Sequence, residues 1–406
     1  MNNYKDLISK AKKFYENKNF YEAKSELLLA LKDQDIDNKL KLSLYILISD
    51  ICFKLNDFVD AEIYLLEAIK QGKSNSDIYN SLGNIYLKKR DYKNSESSYL
   101  KSLNFDKNNE IALINLAILY HNWGRKKEAI FFYNKIIKKN SKNIGALFNL
   151  SNIDDKAINE NVINTIKSLI QEKKLNNFDL ASSFFLLADY EKKKNNFSKE
   201  ISLLENANYF SFKTNEKKNN QLNKYWLDSI SKKFNEIEYI KPKKFLVNTR
   251  NIFPIFIIGL PRSGSTLIES IISSGTDVIE NLGETNLVNW ALLNTNKNFL
   301  DLLDKNSKIE IKLDQTAQKL INAIENLNIK VSNKRIFFSE KSLENFYYIE
   351  LILNIFPNAK FIHPYRNIID NIFAVYKQFL PSISWSHSIK NILKYIDNYL
   401  NTIDFF

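Results

Sequence analysis

Apolar residues in the first two hundred positions recur at helical spacing. Leu7, Ala11 and Phe14 fall on one face, and Ala23, Leu27 and Ala30 on the next. From there the pattern acquires a longer period. Tyr45, Ile48, Ser49, Cys52, Ala61, Leu65 and Ala68 return 34 residues on as Tyr79, Leu82, Gly83, Tyr86, Ser95, Tyr99 and Ser102. One more step gives Leu113, Leu116, Ala117, Tyr120, Ala129, Tyr133 and Ile136. Small residues recur where two helices touch closely, and bulky ones where they fill the groove between neighbours. A constant period of this length predicts helix pairs stacked into a solenoid. A late unit reads Phe184, Leu187, Ala188, Leu204 and Ala207, while Leu147, Leu150 and Ser151 begin a unit that then loses the pattern. The stretch 154–178 is expected to be helical but irregular.

The pattern resembles the tetratricopeptide repeat, which implies a right-handed solenoid. Its concave side would take a peptide or protein, or the repeats would only position the next domain. Tyr79, Tyr86, Asn80, Asn115 and Asn149 are the candidates to line such a groove, although the Tyr positions are repeat-core positions and suit packing better. A Lys/Asn-rich helical connection is expected over 214–251, with a helix ended at Pro242.

The character changes at Phe253-Pro254-Ile255-Phe256-Ile257-Ile258-Gly259, an aromatic and β-branched run that reads as a buried parallel strand. Leu260-Pro261-Arg262-Ser263-Gly264-Ser265-Thr266 follows, and a helix opens with Leu267-Ile268-Glu269. Strand, tight turn and helix N-terminus together present N–H groups and a positive dipole end to an anion. Gly259, Gly264 and Thr266 match the nucleotide-triphosphatase loop, but Ser265 stands where that loop has its lysine, and the cation is Arg262. The missing lysine counts against a third reading, a kinase or nucleotide triphosphatase, which would bind ATP with Mg²⁺. Further on, 336–342 reads as a strand with a helix over 345–355, and 360–363 as a strand. Arg366 emerges at that strand's C-terminal end, where open α/β sheets bind ligands. One amphipathic helix is expected over 385–403.

Phe256-Ile257-Ile258-Gly259-Leu260-Pro261-Arg262-Ser263-Gly264-Ser265-Thr266-Leu267 resembles the 5′-phosphosulfate loop of sulfotransferases. The likeness is closest to bacterial tetratricopeptide-repeat sulfotransferases and the related tyrosylprotein sulfotransferases. It implies an α solenoid followed by an α/β, P-loop-like domain with a parallel sheet. That domain would move a sulfuryl group from 3′-phosphoadenosine-5′-phosphosulfate to a hydroxyl or amine, without a metal. By this resemblance Arg262, Ser263, Gly264, Ser265 and Thr266 hold the 5′-phosphosulfate, and Arg366 the 3′-phosphate. Glu284, in Asn281-Leu282-Gly283-Glu284, would be the general base, with Glu280 a close competitor. Lys341, with Arg262, would stabilise charge on the leaving group. His363 reads as a strand residue rather than a base.

The resemblance has gaps. The Ser expected eight residues after Arg366 is Ala374, Asn367-Ile368 replaces the usual Asp-Pro, and Ser342 or Leu343 stands near the place of a proline after Lys341. Only 40 residues follow Arg366, so the domain is expected to be shortened, with the aromatic ends of its last helix lacking cover. The domain plan is thus 1–213 repeats, 214–251 helical linker and 252–406 truncated sulfotransferase-like domain. A non-catalytic repeat adaptor with a degenerate second domain is the alternative.

Composition adds limits. Gly and Pro number only 8 and 6, which argues against turn-dense all-β or collagen-like folds. A single Cys leaves no internal disulfide or cysteine-cluster metal site and suits a reducing compartment. The N-terminus shows no apolar signal region and no apolar run is long enough to span a bilayer, so a cytoplasmic location is expected. The net charge of +12 is spread along the chain. Its even spread reads as background rather than a nucleic-acid surface. The partners expected are the anionic nucleotide that the resemblance implies and a peptide or protein on the repeats.

Overall fold

The computed structural model describes residues 4–405 except 18, 56, 234–236, 242–247, 276–277, 296–308, 326, 328 and 330. It divides into two compact units, Met1–Ala157 and Ile158–Phe406.

The first unit is built of helix pairs: Tyr4–Glu16 with Phe20–Ala30, Asn38–Lys54 with Phe58–Lys70, Ser76–Lys88 with Tyr92–Phe105, and Glu110–Asn122 with Lys126–Lys139. The period reaches the helix ends. Asn75, Asn109 and Asn143, each 34 residues apart, accept the N–H three residues on (Ile78, Ala112 and Ala146, at 2.9, 3.0 and 2.8 Å). Asp57 and Asp91 cap the partner helices in the same way. Such caps are worth about 1 kcal/mol each. Within pairs, Gly83 lies so close to Tyr99 that an added Cβ would stand 2.4 Å from the ring. Ser49 donates to the Ala61 carbonyl at 2.7 Å, and one repeat later Ser95 donates to the Gly83 carbonyl at 2.8 Å. The same contact is thus kept with the hydroxyl moved to the opposite helix.

Several groove candidates are engaged. Between repeats, Tyr86 Oη donates to Glu62 at 2.8 Å and Asn115 Nδ2 to Asn80 Oδ1 at 3.0 Å, while Tyr79 stacks on Phe105 within its own helix pair.

In the second unit a helix, Glu160–Gln171, and a helix pair, Asn177–Lys193 with Phe197–Lys213, come first. The following stretch departs from the expected helical connection. Helix Glu216–Asn223 widens into a π turn, Lys224–Ser229, and after Ile230–Lys233 the chain forms strand β1 (Ile237–Ile240), parallel to β4 (Ile309–Lys312). Tyr225, Trp226, Leu227, Ile230 and Ile237 are buried in the core of this unit, and that burial overrides the polar composition around them. Pro242 lies outside the described residues.

The main sheet contains β2 (Ile252–Ile257), β3 (Glu280–Asn281), β6 (Arg335–Glu340) and β7 (Lys360–Ile362) in the order β3-β6-β2-β7. These four are parallel, with β5 (Val331–Ser332) antiparallel on β6. The expected strand at 253–258 and those near 336 and 360 are all present. After β6 the chain takes a 3-10 helix, Leu343–Tyr348, before the α-helix Ile349–Ile355, where one helix was expected.

The expected single helix over 385–403 is a 3-10 turn, Ser384–His387, followed by helix Ile389–Ile403. Its aromatic residues do not lack cover. Trp385 and Tyr395 are fully buried and stack at 3.8 Å, and Tyr399 packs on Phe346. The apolar face of the last helix closes on the same core that takes up Tyr225 and Trp226.

Candidate functional site

Because β2, β3, β6 and β7 are parallel, their carboxyl ends share one edge. Arg262, Glu284, Lys341 and Arg366 each lie within five residues of such an end. The topology alone therefore gathers side chains that are far apart in sequence.

The turn after β2 leads into helix Ser265–Ser274, whose N-terminal N–H groups have no acceptor one turn earlier. Gly264, at φ 95°, has no side chain with which to cap them, and a Cβ there would meet nothing within 4 Å, so the mouth of the turn is open. Arg262 is also left-handed, at φ 67°, a conformation that costs a non-glycine residue about 1–3 kcal/mol. Two side chains from beyond β7 hold it there. Arg366 Nη1 donates to the Arg262 carbonyl at 3.1 Å, and the buried Asn371 Nδ2 donates to the Pro261 carbonyl at 2.7 Å. Gly259, at φ 139°, passes so close to His363 that a Cβ would lie 3.3 Å from its ring. Ser263 Oγ is buried and, among the described residues, makes no hydrogen bond.

Lys341 stands at the centre. Its Nζ lies 3.0 Å from Thr266 Oγ1, 3.0 Å from Glu284 Oε1 and 3.9 Å from Glu269 Oε2. The lysine side chain is only 8% exposed, whereas Glu284 is 66% exposed. An ammonium is thus fixed at the floor beneath a carboxylate that reaches solvent. Glu280 pairs through the backbone within β3, and no bond links it to Lys341. His363 Nε2 pairs with Tyr399 Oη, and burial lowers its pKa, so it is placed as a strand-end residue.

Three carboxylates that the sequence did not single out organise this floor. Glu269, buried on the loop helix, accepts from Gly283 N at 2.9 Å, and Gly283 O in turn accepts from Lys341 N at 2.8 Å. Glu340, the last residue of β6, is fully buried. It takes bonds from Thr285 Oγ1 (3.0 Å), Ser342 N (3.1 Å), Ser342 Oγ and Asn345 Nδ2 (2.6 Å). Burial raises its pKa, and the bonds from Ser342 and Thr285 oppose the rise. Glu340 therefore ties the turn carrying Glu284 to the turn carrying Lys341. For Glu344, burial first and then Glu284 and Glu340 push the carboxyl up to about 7. Only Glu269, the one charged residue of the helix that opens at Ser265, carried a visible signal.

Two family models agree with this layout. Residues 254–404 match the family model described as the sulfotransferase family, and residues 76–109 and 111–143 match the tetratricopeptide repeat. An uncharacterized protein of Aquifex aeolicus (strain VF5) is 31% identical over 156 residues, 36% of this chain. The chain spans 20% of the length of that relative. Among solved structures, YrrB, a tetratricopeptide-repeat protein with an unusual peptide-binding site, is similar over 50% of this chain and 84% of its own, at 14% identity and a TM-score of 0.30. PilW, a type IV pilus biogenesis factor, is similar over 50% of this chain and 90% of its own, at 16% identity and a TM-score of 0.38. Among the described residues no helix is long and apolar enough to cross a membrane. The second half of the chain is a sulfotransferase-family domain, and tetratricopeptide repeats precede it.

Proposed function

We propose that the chain transfers a sulfuryl group from 3′-phosphoadenosine-5′-phosphosulfate to a hydroxyl or amine acceptor. The observation that carries this reading is Lys341 Nζ, held 3.0 Å from both the loop hydroxyl of Thr266 and the carboxylate of Glu284. The residues fit the donor. The open turn, its uncapped helix start and the unpartnered Ser263 Oγ offer donors to an anion, and Arg262 adds a guanidinium. When bound, that nucleotide supplies the activated sulfuryl group.

The protein's part is to position and to balance charge. Ser263, Gly264, Ser265 and Thr266 hold the 5′ end. Arg366, already braced on the loop carbonyl, is available to the 3′-phosphate, although Ala374 gives it no hydroxyl partner. Lys341 and Arg262 stabilise negative charge on the leaving side. Glu284, the exposed member, receives the acceptor's proton at its carboxylate. The buried Glu269 and Glu340 keep the two turns in register without touching substrate. The repeats serve to recruit or position a protein partner, as the repeat family implies.

Titration with adenosine 3′,5′-bisphosphate by calorimetry tests the site. Binding is expected, and Arg262→Ala and Arg366→Ala should each weaken it by roughly tenfold or more, the loss of one charge-assisted bond. If both variants bind like the parent, the assignment is wrong. Absence of binding by the parent chain would favour the adaptor reading.

A further inference from the structure

A second recess, of about 490 Å³, lies in the same compact unit between helix Phe197–Lys213, the end of helix Ile368–Tyr376 and the start of helix Ile389–Ile403. It is distinct from the site above. Tyr376 closes a nine-residue helix that begins beside Arg366, so about 12 Å of helix separates the two.

Its walls carry unmet polar capacity of both signs. On one side the N-terminal turn of Ile389–Ile403 contributes Ser388 to Asn391, and no side chain caps it. Its first N–H groups have no intrahelical acceptor, and Lys390 adds a cation at the same place. On the other side stand two acceptors. Asn208 is 1% exposed, and its amide is oriented by bonds from Nδ2 to the carbonyls of Leu204 and Tyr376, both at 3.0 Å. That leaves Asn208 Oδ1 without a donor. Glu205 lines the wall beside it. Among the described residues neither Glu205 nor Lys390 forms an ion pair, whereas the nearby Glu200 and Lys377 pair with each other at 2.9 Å. His387, 8% exposed and with Nε2 unpartnered, packs edge-on against Phe212. Buried polar atoms without partners are uncommon in native folds, and two on one recess, Asn208 Oδ1 and His387 Nε2, point to a ligand. Tyr209, Phe212 and Tyr376 give the recess aromatic walls.

We propose that this recess binds a zwitterionic, amino-acid-like ligand with an apolar or aromatic side chain. Its carboxylate meets the helix N-terminus and Lys390, its ammonium meets Glu205 and Asn208 Oδ1, and its side chain lies against the aromatic wall. A plain anion would leave Glu205 and the Asn208 oxygen unanswered, and a plain amine would leave the helix start so. The inference does not depend on the sulfuryl-transfer reading.

The chain has three histidines, and each reports a different place. His387 marks the recess, His363 the turn at Gly259, and His121 the repeat unit. Histidine proton resonances, with His387→Gln to identify the relevant one, should be followed while L-phenylalanine is added to the full chain. His387 is expected to shift saturably while His121 and His363 stay still. Phenylacetate and 2-phenylethylamine, each lacking one charge, should bind roughly tenfold more weakly or worse, as should L-phenylalanine to Lys390→Ala and Glu205→Gln. Both substituted positions are exposed, so the variants should fold. The proposal is overturned if L-phenylalanine leaves His387 unmoved, if both variants bind like the parent, or if inorganic sulfate shifts His387 equally. Adenosine 3′,5′-bisphosphate, added separately, should move His363 and not His387. That result bears on the sulfuryl site alone.

Discussion

Lys341 and its neighbours show how much a single side chain is asked to do. An ammonium 8% exposed, beside one buried and one exposed carboxylate, gives little net stability. Its placement is better explained by charge that arrives with a ligand. Lys341→Met and Glu284→Gln should each lower kcat by about 100-fold or more, with little change in adenosine 3′,5′-bisphosphate affinity for Glu284→Gln. Steady-state kinetics beside calorimetry would show whether the two effects separate. Glu344 provides a pH test at the same scale. Its folded pKa of about 7 lies above the ordinary 4.5, so the folded state keeps a proton that the unfolded chain gives up. Its stabilising contribution is complete below 4.5 and is lost as the pH rises through 7. Glu344→Gln should flatten that part of the stability–pH curve in urea melts. Cys52 offers a third test. It is fully buried, and burial first of all pushes its thiol up to about 12, so it should stay unreactive to thiol reagents until the first unit unfolds.

At the scale of elements, the repeats were legible because each is a local object whose spacing writes itself into the chain. The 34-residue period fixed which residues face which, and the caps at Asn75, Asn109 and Asn143 follow it. The close approach at Gly83 makes that packing testable. Gly83→Ala places a methyl against the fully buried Tyr99 ring, and overpacking of this kind costs about 1–3 kcal/mol. A lowered denaturation midpoint of the first unit is expected, and an unchanged midpoint would mean that the ring has room to give. The stretch 216–240 was less legible. Its Lys and Asn content reads as a solvated connection, yet Tyr225 and Trp226 enter a core whose other walls include 252–260, 288–292, 311–324, 338–356 and 385–399. Strand β1 is made by a partner some seventy residues away in β4, and no local pattern announces such a pairing. The last helix was misread for the same reason. Nothing near Trp385 in sequence shows what covers it.

For the whole molecule, the decisive feature is that four parallel strands end on one side and deliver Arg262, Glu284, Lys341 and Arg366 there. Those residue types were visible in the sequence, since a phosphate-binding turn is a local motif. Their convergence came from the resemblance, and the residues that hold them, Glu269, Glu340 and Asn371, came only from the fold. Each of the three is a polar side chain whose role lies in a bond across the sheet edge, to Gly283, Thr285 or Pro261. The division into two compact units then makes one further expectation sharp. A ligand that binds only the folded state stabilises the unit that holds it, by about 2.7 kcal/mol at a hundredfold excess over Kd. The turn after β2, Lys341 and Arg366 all belong to Ile158–Phe406, and none of them to Met1–Ala157. Differential scanning calorimetry should therefore resolve two transitions, of which adenosine 3′,5′-bisphosphate raises one and leaves the other in place. Gly83→Ala should lower the transition that the nucleotide does not move, and Arg262→Ala should abolish the shift without altering the repeat transition. If the nucleotide instead raises the transition that Gly83→Ala lowers, the binding site belongs with the repeats, and the turn after β2 is only a structural corner.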